Sequence, residues 1–199
     1  MPTTAPDRDA LRFELLTDGR AACVRPMTRA DRAAVTAMYA CTSAANLYTR
    51  FFTSGRGAVT SHLDHLFAPL DAPAVFLVEV DDRLIGVADV EPCDEITSEV
   101  AFLVADDAHG LGVATLLLER IADEARAAGV QWLVADVLAI NHPMMAVFTD
   151  AGFAIDLHTS HGEVSVRMST ASSPAVVEAS SVRHRCAAHA RALMDVSGT

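Results

Sequence analysis

The sequence predicts an α/β domain built on a mixed, mostly antiparallel sheet flanked by helices, with one parallel strand–helix–strand crossover. Three observations lead there. Apolar, β-branched runs come in pairs about tight turn residues, as in 74–80, Asp81-Asp82 and 84–90. The run 97–104 is followed by a long amphipathic stretch and then another apolar run, the pattern of a parallel crossover. Finally, 51% hydrophobic residues in a chain of 199 supply a full-sized core.

The elements follow in order. Residues 11–17 and 21–26 read as short strands around Asp18-Gly19. Residues 28–41 read as a helix, with Thr28 as N-cap and Asp31 in its first turn. The stretch 46–70 reads as two short helices broken at Gly55-Gly57. After the 74–90 hairpin comes a third strand at 97–104. The helix from about 112 to 128 carries Leu116, Leu117, Ile121 and Ala125 on one face and stops at Gly129. Residues 131–140 form the next strand. Pro143 opens a short helix that ends near Gly152. Residues 153–157 and 164–168 close as a hairpin. The domain is thus expected over 1–168. Residues 169–199 are expected to be a linker and a tail helix, with Val182, Cys186, His189 and Leu193 on its apolar face.

Composition excludes several functions. The net charge of −11 argues against nucleic acid and anionic membranes as partners. No apolar run approaches the roughly 18 residues of a membrane span. The first ten residues lack an apolar signal core, so a cytoplasmic location is expected. Cys23, Cys41, Cys93 and Cys186 are scattered and read as reduced thiols. The pairs His62/His65, His158/His161 and His184/His189 lack the three or four ligands zinc wants, so no metal is expected. All fifteen cationic side chains are arginine; there is no lysine.

The most informative segment is 104–115. A strand ends, small residues crowd a turn, and a helix begins. Successive backbone N–H groups at such a turn converge, and the helix dipole favours an anion there. Gly110 and Gly112 permit a close backbone approach. An ordinary tight turn has the same spacing. A dinucleotide fingerprint lacks its third glycine, and a Walker loop lacks its lysine.

At His109-Gly110-Leu111-Gly112-Val113-Ala114 the chain resembles the GNAT superfamily of N-acetyltransferases, whose Gln/Arg-x-x-Gly-x-Gly/Ala segment lies between a strand and a helix. His109 departs from the first position; Gly112 and Ala114 match. Val24-Arg25-Pro26, Asn141, Phe148 and Gly152-Phe153 extend the resemblance over about 20–168. It implies acetyl-CoA as co-substrate. The pyrophosphate would lie against residues 109–115, His109, Gly110, Leu111, Gly112, Val113, Ala114 and Thr115. The strands 97–104 and 131–138 would splay, and the pantetheine would pair with backbone at Phe102, Leu103 and Val104. Asn141 would bond the pantetheine or hold its loop. Phe148 stands where many members use a tyrosine to protonate the leaving thiolate, which a phenylalanine is unable to do.

The chemistry needs a base. A lysine amine with pKa ~10.4 is only about 0.04% neutral at pH 7, a cost near ~4.6 kcal/mol. Glu99, on the strand beside the thioester, is the candidate, as similar protein acetyltransferases place a glutamate there; the alternative is a surface charge. Glu91, Asp94 and Glu95 are read as an acidic loop rim. The stretch LYTRFF at 47–52 resembles one in bacterial protein lysine acetyltransferases of Pat type. Tyr48 and Arg50 are candidates for the acceptor entrance; alternatively Phe51 and Phe52 are core and Arg50 a helix cap. The leading expectation is therefore acetyl transfer to lysines of a partner protein. The alternatives are transfer to a small amine and a non-catalytic acyl-CoA-sensing module. The oligomeric state is not legible.

Overall fold

A computed structural model describes residues 11–53, 56–68 and 73–197. Of the expected helix break, Gly55 lies outside the described residues, as does Leu70 at the end of that stretch. The strands are β1 (Arg12–Leu15), β2 (Ala21–Pro26), β3 (Ala74–Val80), β4 (Arg83–Pro92), β5 (Thr97–Val104), β6 (Trp132–Leu138), β7 (Ile155–Ser160) and β8 (Glu163–Ser169). The helices are α1 (Arg32–Cys41), α2 (Ala44–Phe51), α3 (Arg56–Leu66), α4 (Val113–Ala127), α5 (His142–Asp150) and α6 (Pro174–Ser197).

The strands form one sheet in the order β1-β2-β3-β4-β5-β6-β8-β7. Every pairing is antiparallel except β5–β6, the two strands joined through α4. The turn between β3 and β4 puts Asp81 and Asp82 both at positive φ, the geometry whose twist suits a two-residue hairpin. The expected helix at 28–41 starts as a 3₁₀ turn at Arg29–Asp31 before α1. Asp31 explains that start. Its carboxylate accepts from the Thr28 N–H at 2.6 Å and also binds the buried Arg25, which Glu79 holds from β3.

The core lies between the sheet and α4, where Leu117, Leu118 and Ile121 are fully buried. α1 covers part of the other face through Val35, Met38 and Tyr39. Loops are laced at the carboxyl end of β5. Asp106 accepts from the Ser43 N–H and Oγ, and Ser43 in turn caps α2 by accepting from Asn46 N–H. Among the described residues no helix is long and apolar enough to cross a membrane.

The tail is a helix, as its spacing suggested, but the covered face differs from the expected one. Val182 and Leu193 are 43% and 56% exposed, and Cys186 and His189 are exposed too. The inward side carries Val176, Arg183 and Ala187, of which Ala187 is completely buried. Arg183 pairs with Glu119 of α4, and His184 lies 2.9 Å from Glu14 of β1. The expected linker also begins inside the domain: Thr170 is buried and donates to the Val130 carbonyl at 2.7 Å. Gly19, at φ +86°, lies so close beneath α6 that a Cβ would stand 2.5 Å from the Arg191 backbone nitrogen.

Gly19→Ala is therefore expected to lower unfolding free energy by roughly 1–3 kcal/mol, combining φ strain with the clash. In a chain ending at residue 169 the clash is gone, so the same substitution should cost less. Denaturant melts of the four chains check this. An equal cost in both backgrounds means that α6 does not press on Gly19.

Candidate functional site

The site begins where two strands part. β5 and β6 are in register only at Thr97–Trp132, Ser98–Leu133 and Glu99–Val134. Beyond Glu99, β5 stays with β4 as far as Val104, and β6 stays with β8 as far as Leu138. A cavity of about 870 Å³ fills the gap. Its walls include Phe102 and Val104 from β5, Ala135 and Val137 from β6, the start of α4, and α5. Phe148 of α5 is 1% exposed and meets Phe102 edge-on, with ring centroids 6.1 Å apart. Leu103 points away into the core, 2% exposed.

At one end of the cavity α4 begins. Gly110 and Gly112 both adopt positive φ, at +76° and +83°. A Cβ on Gly110 would meet nothing within 4 Å, so its backbone angle, rather than crowding, is what demands glycine. Gly112 is the N-cap of α4 and offers no side-chain acceptor. Helix geometry leaves the N–H groups of Val113, Ala114 and Thr115 without partners inside the helix. Those donors and the helix dipole fit a pyrophosphate, and Ala114 and Thr115 line the cavity. Thr17 steadies the loop from the β1–β2 turn: its N–H donates to the Leu111 carbonyl at 3.1 Å and its Oγ1 to the Gly110 carbonyl at 3.2 Å. Sequence reasoning had no signal for Thr17, because it lies 93 residues from Gly110.

His109 lines the cavity and is also tied to its neighbours. Its Nε2 lies 3.2 Å from both the Val104 carbonyl and Asn46 Nδ2, and Asn46 itself donates to that carbonyl at 2.8 Å. The last carbonyl of β5 is thus already engaged at the point where backbone pairing with a pantetheine was expected. Asn141 caps α5, its Oδ1 accepting from the Met144 N–H at 3.2 Å.

The other end of the cavity carries the charges. Glu99 lies at the last β5–β6 pair and lines both the main cavity and a second groove of about 420 Å³, with Asp136, Asp156 and His158. Burial chiefly, then the carboxylates of Asp136 and Glu91, push the Glu99 carboxyl above its usual range, with Arg50 opposing. Arg50 also lines the cavity, but its Nη2 is committed to both oxygens of Asp89, at 2.8 and 3.0 Å. Asp89 is 6% exposed, so this ion pair is buried, and losing one partner would strand a charge. His62 stands 3.6 Å from Asp89 and 3.0 Å from the Tyr39 hydroxyl; burial drives it down to about 4, so it is neutral at pH 7. Asp89 was legible in principle, as an acid inside the apolar run 84–90. Tyr48 is 42% exposed and stands outside the cavity wall. Phe51 packs against the core, and both Phe51 and Phe52 line the cavity. Glu91 is not in a loop: it belongs to β4. Among the described residues no group of three or more His, Cys, Asp or Glu could hold a metal ion.

Comparison with known proteins bears on this arrangement. Residues 41–153 match the acetyltransferase (GNAT) family. An acetyltransferase of Pseudomonas aeruginosa is 30% identical over 146 residues, covering 70% of this chain and 78% of that one. The GNAT domain of S. lividans PAT superposes with a TM-score of 0.69 at 27% identity, covering 83% of this chain and 99% of that one. Mycobacterium smegmatis RimJ in complex with CoA-disulfide has a TM-score of 0.64 at 17% identity, covering 87% and 94%, a likeness of fold alone. The family match takes in more than half of the chain, including the parted strands and the bare start of α4, and on that ground the chain belongs to the GNAT family of acetyltransferases.

Proposed function

We propose that this N-acetyltransferase acetylates lysine side chains of another protein, with Glu99 taking the proton from the amine. The observation that carries the reading is the position of Glu99. It lies where the 870 Å³ cavity, which ends at the start of α4, meets the 420 Å³ groove on the far side of the β5–β6 gap. A donor lying along the first and an acceptor arriving through the second meet at this carboxylate.

Acetyl-CoA supplies an activated thioester. The residues of the chain do the rest. The N–H groups at Val113, Ala114 and Thr115 hold the anionic end. Glu99, with its proton affinity raised by burial and then by Asp136, is a stronger base than an ordinary carboxylate. Asp136 places a second carboxylate beside the same opening, which favours an approaching ammonium. Phe148 offers no proton, so the thiolate leaves without help from that position. The likeness to the GNAT domain of S. lividans PAT and the LYTRFF stretch support a protein acceptor. So does the net charge of −11, which draws basic partners over about a Debye length, ~8 Å at physiological salt. With no lysine in the chain, transfer to its own side-chain amines is impossible.

Three results are expected. Gly112→Glu puts bulk and negative charge among the α4 donors; CoA binding by calorimetry should be lost while the circular dichroism spectrum is kept. Unchanged binding would remove the helix start from the CoA site. Glu99→Gln should cut turnover at pH 7 about tenfold to a thousandfold with CoA affinity retained. The deficit should narrow at high pH, where the amine loses its proton unaided. Wild-type turnover in this variant would place the base elsewhere. With labelled acetyl-CoA, label should appear on lysines of basic proteins, and added salt should raise KM for those proteins more than for a neutral small amine. Efficient labelling of small amines with every protein and peptide ignored would replace the protein-acceptor reading.

A further inference from the structure

Glu99 has an unusual neighbour in its own sheet. In the β4–β5 ladder it stands directly opposite Glu91. Opposite positions in an antiparallel pair face the same side with Cβ atoms about 4.5–5.5 Å apart, and like charges there repel. Two carboxylates thus face each other across the β4–β5 ladder where an opposite-charge pair would be the stabilising choice.

Glu91 is not alone. From α3, His65 brings Nε2 to 2.8 Å from Glu91 Oε1. The two side chains are 43% and 46% exposed, so solvent protons reach both. The remaining charged groups around Glu99 are differently placed. Asp89 of β4 is neutralised by Arg50 of α2 in a buried pair. His62 of α3 is buried and neutral. Asp136 of β6 accepts from Ser165 Oγ at 2.7 Å and has no cation in that contact, while Asp156 and His158 of β7 and Arg167 of β8 line the groove that Glu99 shares. Among these groups, Glu91 is the carboxylate with an exposed histidine within hydrogen-bond distance.

We propose that Glu91 sets the basicity of Glu99 and that His65 moderates Glu91, the two acting as positioning residues for proton removal from the acceptor amine. The inference rests on Glu99 as the proton acceptor. With His65 neutral, the full charge of Glu91 opposes ionisation of Glu99 and makes it the stronger base. When His65 takes up a proton, its cation offsets Glu91, the repulsion across the ladder falls, and Glu99 becomes the weaker base. Burial and Asp136 raise the proton affinity of Glu99 in every state, so Glu91–His65 is the adjustable part.

The test is a titration of the full chain by carboxyl-carbon NMR with labelled glutamate, the Glu99 signal being assigned by its absence in Glu99→Gln. Glu91→Gln should move the Glu99 midpoint to lower pH. His65→Gln, which can bond Glu91 but not charge, should move it to higher pH. The double variant should match Glu91→Gln, because His65 acts only through Glu91. The acid limb of the kcat profile, followed with a lysine peptide, should shift in the same directions. A Glu99 midpoint unmoved in Glu91→Gln overturns the proposal, and shifts that simply add in the double variant overturn the part given to His65. Both substitutions are at half-exposed side chains, and thermal melts verify folding. Failure of the underlying reading shows separately, as retained acetyl transfer in Glu99→Gln, which is independent of where that carboxyl titrates.

Discussion

Everything at this site depends on a ladder that stops early. β5 and β6 are in register for three residue pairs and then part at Glu99 and Val134. Each strand keeps its other neighbour, so neither frays. The facing backbone edges beyond that point belong to no ladder, and buried backbone polar groups need partners. An extended chain laid between them can supply those partners in the manner of an added strand. The gap is held open by packed bulk: Phe148 of α5 is buried against Phe102 of β5. The parallel crossover fixes the rest. It puts the start of α4 at the carboxyl end of β5, which is the end at which the strands have parted.

The electrostatics divide along the same line. At the α4 end the helix start supplies positive character, with no side-chain charge from Gly112. That favours a local anion in a chain whose overall charge repels one. At the Glu99 end the character is acidic, with Glu91, Asp136 and Asp156 close to the opening. Arg50 on the cavity wall is consumed by Asp89, and Arg167 in the adjoining groove lies over the Trp132 ring. An anionic group and a cationic group are thus favoured at opposite ends of one cleft.

The tail helix shows how far burial depends on context. Arg183 with Glu119, His184 with Glu14 and the buried Ala187 fasten α6 to α4 and β1. These are mostly polar attachments around one small apolar residue. The larger apolar residues Val182 and Leu193 are on the outer side, 43% and 56% exposed.

Local chemistry made much of this legible in the sequence. Apolar, β-branched runs and the Asp81-Asp82 turn marked the hairpin, glycine spacing marked the start of α4, and the order of elements implied the crossover. Those signals arise from sterics and hydrogen bonding between residues near in the chain. Tertiary structure alone decided the rest. His109 turned to Asn46 and Val104, Arg50 was claimed by Asp89, Glu91 proved to be a strand residue facing Glu99, and α6 buried a face other than its apolar stripe. Spacing tells which side chains share a face. It does not tell what that face meets, because the partner comes from a distant part of the chain and the free energy of burial is set by the pair.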